Sequence, residues 1–427
     1  MKWGSIRTIA GTIFISTASW AQTPPISLTQ AQETALQNHP QIASATLEAK
    51  ASGSVIQEAR SAYYPSLSGN ITGVGSQHSA VVSAGAVTTS SLYSRGSTGI
   101  VANQLITDFG RTGSLVETAK LRSAARNEDV NNTRAQVLLE VQEAYYQALA
   151  AQAVRTVAQA TLDLRRVTLR QVTALADSAL RSKVDVSFAE VNVSQAQLDS
   201  IRAENDARAS HARLSAAMGY DRDQPFTLAD ESLPAALSPD VDGLIAEALR
   251  ARPDLAVLRL NRDALQSYAE AEKKLRNPTV AAVAVSGVAP VRDERLPETY
   301  NAAGINVNIP VLNGGLFKAR REEAESHAAA ADKNAQALTV RVARDVQLAW
   351  LEANDAFQRL DVTARLVAEA NESLRLAQAL YDNALGSIVE LNQAQLNQTA
   401  AEMAAATAKY EYLSRRADLN YAMGVLR

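Results

Sequence analysis

Apolar residues recur along most of this 427-residue chain at the alternating three- and four-residue spacing of helices packed side by side. Val137, Val141, Ala144, Ala148 and Ala151 make one such seam, and its small residues permit close helix approach. No proline or glycine interrupts the pattern from Ser114 to about Met218. The pattern returns from about Phe317 to Met423, broken only by Gly386. Each stretch has a midpoint break, "LADSALRSKVD" at 175–185 and "LYDNALGSIVE" at 380–390. Each therefore predicts two antiparallel helices of roughly 60 and 35 residues, the longer spanning about 90 Å. Such arms must pack on others to bury their seams.

A second period, of two, marks strands. Ile305, Val307 and Ile309 alternate with Gly304, Asn306 and Asn308, so one face is apolar and the other polar. The run "STGIVANQLIT", ending at Thr107, is its counterpart in the first half. Two further strand-like runs, "SLSGNITGVG" and "TVAAVAVSGV", follow Pro65 and Pro278. Those prolines end helical pairs at 29–62 and 241–276 and push the preceding residue toward extended backbone. Thr29 with Gln32, and Ser114 with Glu117, have the spacing of capping boxes.

The chain is written twice. His39-Pro40 answers Arg252-Pro253, and Pro65 answers Pro278, both at 253 − 40 = 278 − 65 = 213. Asp108-Phe109-Gly110 answers Leu312-Asn313-Gly314 at 314 − 110 = 204, and Tyr146 answers Trp350 at the same spacing. Ala217-Met218-Gly219 answers Ala422-Met423-Gly424 at 205. The offset thus changes by nine between Pro65 and Gly110 and by one near residue 175. The larger change falls in the Ser-, Ala- and Val-rich stretch 76–94, whose shorter partner is 290–299. The expected layout is a first repeat at 22–220, a linker at 221–240 and a second repeat at 241–427.

Charge and composition narrow the function. A net charge of −3, with both signs interspersed, gives no broad nucleic-acid surface. The absence of cysteine excludes disulfides, thiolate metal sites and thiol nucleophiles. His39, His78, His211 and His327 belong to no ligand motif, so no metal and no cofactor is expected. Lys2 and Arg7, an apolar stretch from Ile9 and Ser19-Trp20-Ala21 read as a secretory signal peptide over residues 1–21. With no apolar helical span in the remainder, entry into a membrane requires a β-barrel. Asp108-Phe109-Gly110 spells a kinase magnesium motif, but no Gly-rich loop, strand Lys or catalytic loop accompanies it. Its repeat partner keeps only turn chemistry, so the motif is a strand-to-helix turn. Tyr145, Tyr146 and Trp350 read as packing anchors, and Asp293-Glu294 as solvated loop charges. No enzyme constellation is present in the sequence.

The two helical breaks share Ala-Leu-x-Ser, at Ala179-Leu180-x-Ser182 and Ala384-Leu385-x-Ser387, followed by Asp185 and Glu390. The simpler reading is a helix turn with Ser as N-cap; the sharper one is a pair of exposed tips that dock a partner. The duplicated layout, the paired prolines, the Asp/Asn-Gly turns at Gly110 and Gly314, the tips and the Met-Gly endings together resemble the TolC family of bacterial outer-membrane efflux channels. The resemblance covers about Ile26 to Gly424.

It implies an α+β membrane protein: a homotrimer in which each chain gives four strands to a shared twelve-stranded barrel and long helices form a coiled-coil tunnel. It also implies a passive conduit for drugs, metal ions or other toxic solutes in the outer membrane, extending into the periplasm. The implied partners are outer-membrane lipid, a periplasmic adaptor protein, and an inner-membrane RND or ABC transporter. By position, adaptor docking falls to Leu180, Ser182, Leu385 and Ser387. Asp185 and Tyr381 match gate-link partners, and Glu390 the first acid of a constriction. The second acid of that pattern is replaced here by Gln393, and the usual Gly before each tip Leu by Ala179 and Ala384. Two alternatives are protein export through the same fold, and a soluble periplasmic coiled-coil scaffold.

Overall fold

The structure, a computed structural model, describes residues 25–75, 80–84, 88–92, 94–292 and 297–426. The leader expected over residues 1–21, His78 and the Asp293-Glu294 pair lie outside the described residues.

The first half runs α1 (Leu28–Asn38), α2 (Pro40–Ser61), β1 (Ser66–Val74), β2 (Ala80–Ala84), β3 (Thr88–Leu92), β4 (Arg95–Thr107), α3 (Arg111–Asp177) and α4 (Lys183–Ala217). The second runs α5 (Val241–Ala251), α6 (Pro253–Lys273), β5 (Thr279–Val291), β6 (Thr299–Asn308), α7 (Leu316–Asp382) and α8 (Ile388–Ala422). The order is shared except for the β2–β3 hairpin, which occupies the variable stretch of the first half. Both α3 and α7 are 67 residues long, and both α4 and α8 are 35. The long arm therefore spans about 100 Å.

The backbone corrects the repeat register by one. Helix α7 starts 316 − 111 = 205 residues after α3, and the two end 382 − 177 = 205 apart. The left-handed caps are Gly110 (φ 88°) and Gly315 (φ 86°). Gly314 (φ 61°) answers Phe109 (φ 55°), which adopts the same left-handed backbone without the freedom of glycine. One length change of 213 − 205 = 8 therefore separates the halves, not one of nine and one of one. Two adjacent glycines in the second half and the chance match of Tyr146 with Trp350 pulled the sequence alignment off by a residue. Trp350 instead answers Tyr145. The Tyr145 hydroxyl lies between the Ile26 and Ala229 carbonyls, at 2.9 and 2.6 Å, and Trp350 Nε1 donates to the Ser238 carbonyl at 2.8 Å. Both aromatics thus tie the connection between the halves to a long helix.

Two caps also move. Ser27 and Gln30, not Thr29 and Gln32, form the capping box of α1. Ile26 is held extended against Leu228, which starts the helix earlier. Helix α3 begins three residues before Ser114, because the Asp108 carboxylate accepts from the Gly110 and Thr112 backbone N–H groups and from Thr112 Oγ1. Asp108-Phe109-Gly110 is accordingly a helix-initiating turn. Ser114 Oγ accepts from Lys274 Nζ at 2.9 Å instead of capping.

The antiparallel sheet has the order β1-β4-β5-β6, leaving β1 and β6 as open edges. Its register places Leu67, Ala102, Ala284 and Ala303 in one row, and puts Ile71, Ile100, Ile305 and Val307 on the same face. That face is bare: Ile71 is 90% exposed and Ile305 70%. Ser66, Ser68, Asn70, Asn103 and Asn306 fall on the other face. Ile309 lies just past the end of β6. On the polar face Tyr300 covers the paired Gly99 and Gly287, where a Cβ at either position would collide with its hydroxyl.

Two cores join the short helices to the long ones. Ala31, Val137, Val141, Tyr145 and Leu214 pack in the first, and Leu255, Val342, Val346 and Leu419 in the second. The repeat motifs meet there. Gly219 (φ 85°) lies against the backbone of His39, and Gly424 (φ 72°) against that of Arg252, at distances that leave no room for a side chain. Among the described residues no helix is long and apolar enough to cross a membrane.

Candidate functional site

The sequence-selected tip residues sit at the far ends of the two long hairpins. Each turn is a Schellman motif. The Leu180 N–H reaches the Leu175 carbonyl and the Ala179 N–H that of Ala176; Leu385 and Ala384 repeat this with Leu380 and Tyr381. The residue that must turn left-handed is alanine in both copies, Ala179 (φ 58°) and Ala384 (φ 61°). The following leucines, Leu180 and Leu385, are left in solvent at 68% and 79% exposure. Ser182 caps α4 by accepting from the Val184 N–H, and Ser387 caps α8 by accepting from the Glu390 N–H. At the opposite end, Pro65 and Pro278 each immediately precede a strand of the sheet, β1 and β5.

The structure brings Asp185 and Tyr381 together. Tyr381, 2% exposed, is enclosed by Val172, Ala189, Ile388 and Leu391 from α3, α4 and α8. Its hydroxyl points at Asp185 Oδ2 across 3.5 Å, the long limit of a hydrogen bond. Burial, followed by the Asp185 charge, holds the phenol above its ordinary pKa, and the Arg181 cation works the other way. Arg181 was not legible from sequence. Its guanidinium stacks 4.0 Å over the Tyr381 ring and donates to the Tyr381 carbonyl. Asn192 Nδ2 also donates to Asn392 Oδ1 at 2.7 Å, joining α4 to α8. These asparagines are 200 positions apart, so a comparison of repeats at 205 does not pair them.

Glu390 and Gln393 are exposed and join neither contact. The Glu390 carboxylate accepts from the Ser387 N–H at 2.9 Å, completing a capping box, and Gln393 Nε2 donates to Asn397 at 2.9 Å. The end of α4, with Asp223 just beyond it, carries a cluster with the composition of a catalytic triad. His211 Nδ1 lies 2.7 Å from Asp223, and Ser215 Oγ donates to the same carboxylate oxygen at 2.9 Å. The serine thus meets the acid and not the imidazole, so no base activates it. Among the described residues no carboxylate, histidine or cysteine cluster is arranged to hold a metal ion.

The sequence profile of the outer membrane efflux proteins matches residues 31–220 and 244–425, both halves of the duplicated fold. The chain belongs to that family. Outer membrane protein TolC of Salmonella enteritidis is 22% identical over 420 residues, covering 94% of this chain and 82% of the relative. The nickel-cobalt-cadmium resistance protein NccC of Alcaligenes xylosoxydans xylosoxydans is 28% identical over 199 residues, 46% of this chain and 44% of the relative. The solved structure of CusC superposes with a TM-score of 0.80 at 18% identity, covering 96% of this chain and 95% of that one. As a member of that family the chain is an outer-membrane efflux channel that extends into the periplasm.

Proposed function

We propose that the channel is the passive outer-membrane conduit of a tripartite efflux system, with a gate at its helical tips. In this reading residues 22–220 and 241–427 are the two repeats of each protomer, and three protomers close one barrel. Two features support the trimer. Four strands with two open edges cannot stand alone in lipid, and an exposed apolar face needs lipid around it. Joining β6 of one copy to β1 of the next supplies both requirements in a twelve-stranded barrel.

The observation that carries the gate is the contact between Tyr381 on α7 and Asp185 on α4, reinforced by Arg181. It links the hairpin of one half to that of the other, so opening requires the two to part. A partner that binds the parted arrangement better shifts the population toward it. Leu180, Ser182, Leu385 and Ser387 offer the docking surface for a periplasmic adaptor, which would join an inner-membrane RND or ABC transporter. Glu390 and Gln393 would line the opening, one acid per chain where two would give a double ring. Cargo falls in the class of drugs, metal ions or other toxic solutes; the likeness to NccC favours metal ions among them. In planar bilayers, Asp185→Ala with Tyr381→Phe raises single-channel conductance. Conductance equal to the parent's would overturn the gate.

A further inference from the structure

Above the tip turns, a cation is buried with no paired counter-charge among the described residues. Arg165 on α3 is 5% exposed, and its Nη1 has no hydrogen-bond partner. It lies 177 − 165 = 12 residues before the last residue of α3, about 18 Å from the tip. Arg165 is among the residues lining a cavity of about 50 Å³ between α3, α4 and α8. Thr161, Asn192 and Gln195 give that cavity polar groups, and Leu396 and Met403 an apolar wall. Asp199 also borders it, but both its oxygens accept from Gln195 Nε2, at 3.1 and 3.2 Å, and Arg202 sits 3.6 Å away. Burial alone lowers the Arg165 pKa, with no neighbouring charge to support the cation.

An uncompensated buried charge is strongly unfavourable, so such a group is normally paired or solvated in place. A cavity large enough for one water needs only about 10–15 Å³, so this one has room for a small ion. We infer that the cavity beside Arg165 binds a small monovalent inorganic anion, with chloride the natural occupant. The anion neutralises the guanidinium and bridges α3 to the α4–α8 seam, so its occupancy stabilises the arrangement in which Asn192 meets Asn392. The site belongs to the folded chain whether or not the tip below it is a gate.

The test uses the full-length channel crystallised in sodium bromide, with anomalous data collected at the bromine edge. A bromide peak in the cavity, in contact with the Arg165 guanidinium, is expected. In detergent, replacing sodium gluconate by sodium chloride at equal ionic strength raises the unfolding midpoint of the parent by a few degrees and leaves Arg165→Met unmoved. The proposal fails if the bromide map is empty there, or if the guanidinium is met by a water bridging to Asp199 or Gln395 or by a neighbouring copy's carboxylate. It fails equally if Arg165→Met responds to chloride as the parent does. The bromide experiment needs no variant, so a poorly folding Arg165→Met leaves the question decidable.

Discussion

Ala179 and Ala384 hold a backbone conformation that an L-residue with a Cβ adopts only at a cost of roughly 1 kcal/mol or more. Glycine relieves that strain but loses more freedom on folding, so the net gain is smaller. Ala179→Gly and Ala384→Gly should each stabilise the channel by about 0.5 kcal/mol, visible as a small rise in the urea midpoint. A fall in the midpoint would show that the methyl groups contribute packing. That these turns exist was legible in sequence, because Ser182 and Ser387 mark where each return helix begins. That they are left-handed was not, because alanine is the strongest helix former and carries no turn signal. Phe109 hid its conformation in the same way, and only the glycine at 314 shows what the backbone wants there.

Between elements, the contacts that matter join side chains distant in sequence, where local patterns are silent. Glu143 on α3 is an example. Burial, then a hydrogen bond and charge repulsion from Asp418 on α8, then Glu140, raise its pKa to about 7, with Arg415 opposing. Arg415 in turn bridges Asp418 and Glu352, tying α8 to α7. A carboxyl whose folded pKa is raised contributes stability that is complete below the unfolded value of about 4.5 and is lost as pH rises through 7. The midpoint of Glu143→Gln should therefore gain on the parent's between pH 4.5 and 7.5. Parallel pH profiles for the two would refute the raised Glu143 pKa. The helices themselves were readable from their seams and breaks, and their lengths came close: 67 residues against roughly 60, and 35 as expected. The starting cap of α1 was not, because Ser27 and Thr29 carry the same spacing to a glutamine. What decides between them is the pairing of Ile26 with Leu228, 202 residues away.

For the whole molecule, the apolar sheet face sets where it resides. The strands of 9, 13, 13 and 10 residues reach the length needed to cross an outer membrane. Ile305, on that face, takes the lipid side in the proposed barrel. Ile305→Arg should cost about 2 kcal/mol or more of assembly free energy. The yield of heat-modifiable oligomer from outer membranes should drop accordingly, while Asn306→Arg on the opposite face leaves it near the parent's level. Equal yields from the two substitutions would mean that the faces are not sorted as the register indicates. Pro65, Pro278 and the alternation around Ile305 made the four main strands legible. The β2–β3 hairpin was not, since Ser, Ala and Thr alternate too weakly to signal strand.

The single eight-residue surplus lies in the connection from β1 to β4, and everything from the junction glycines to the tips agrees in length between the halves. A threefold assembly would therefore look different from its two poles. At the helical pole, two matched hairpins per copy would present six near-equivalent points at one height, an approximate hexad. At the strand pole, the unequal loops would alternate long and short and reduce the symmetry to a true triad. A partner approaching from inside the cell could thus read the molecule in sixes, while anything meeting it from outside must read it in threes.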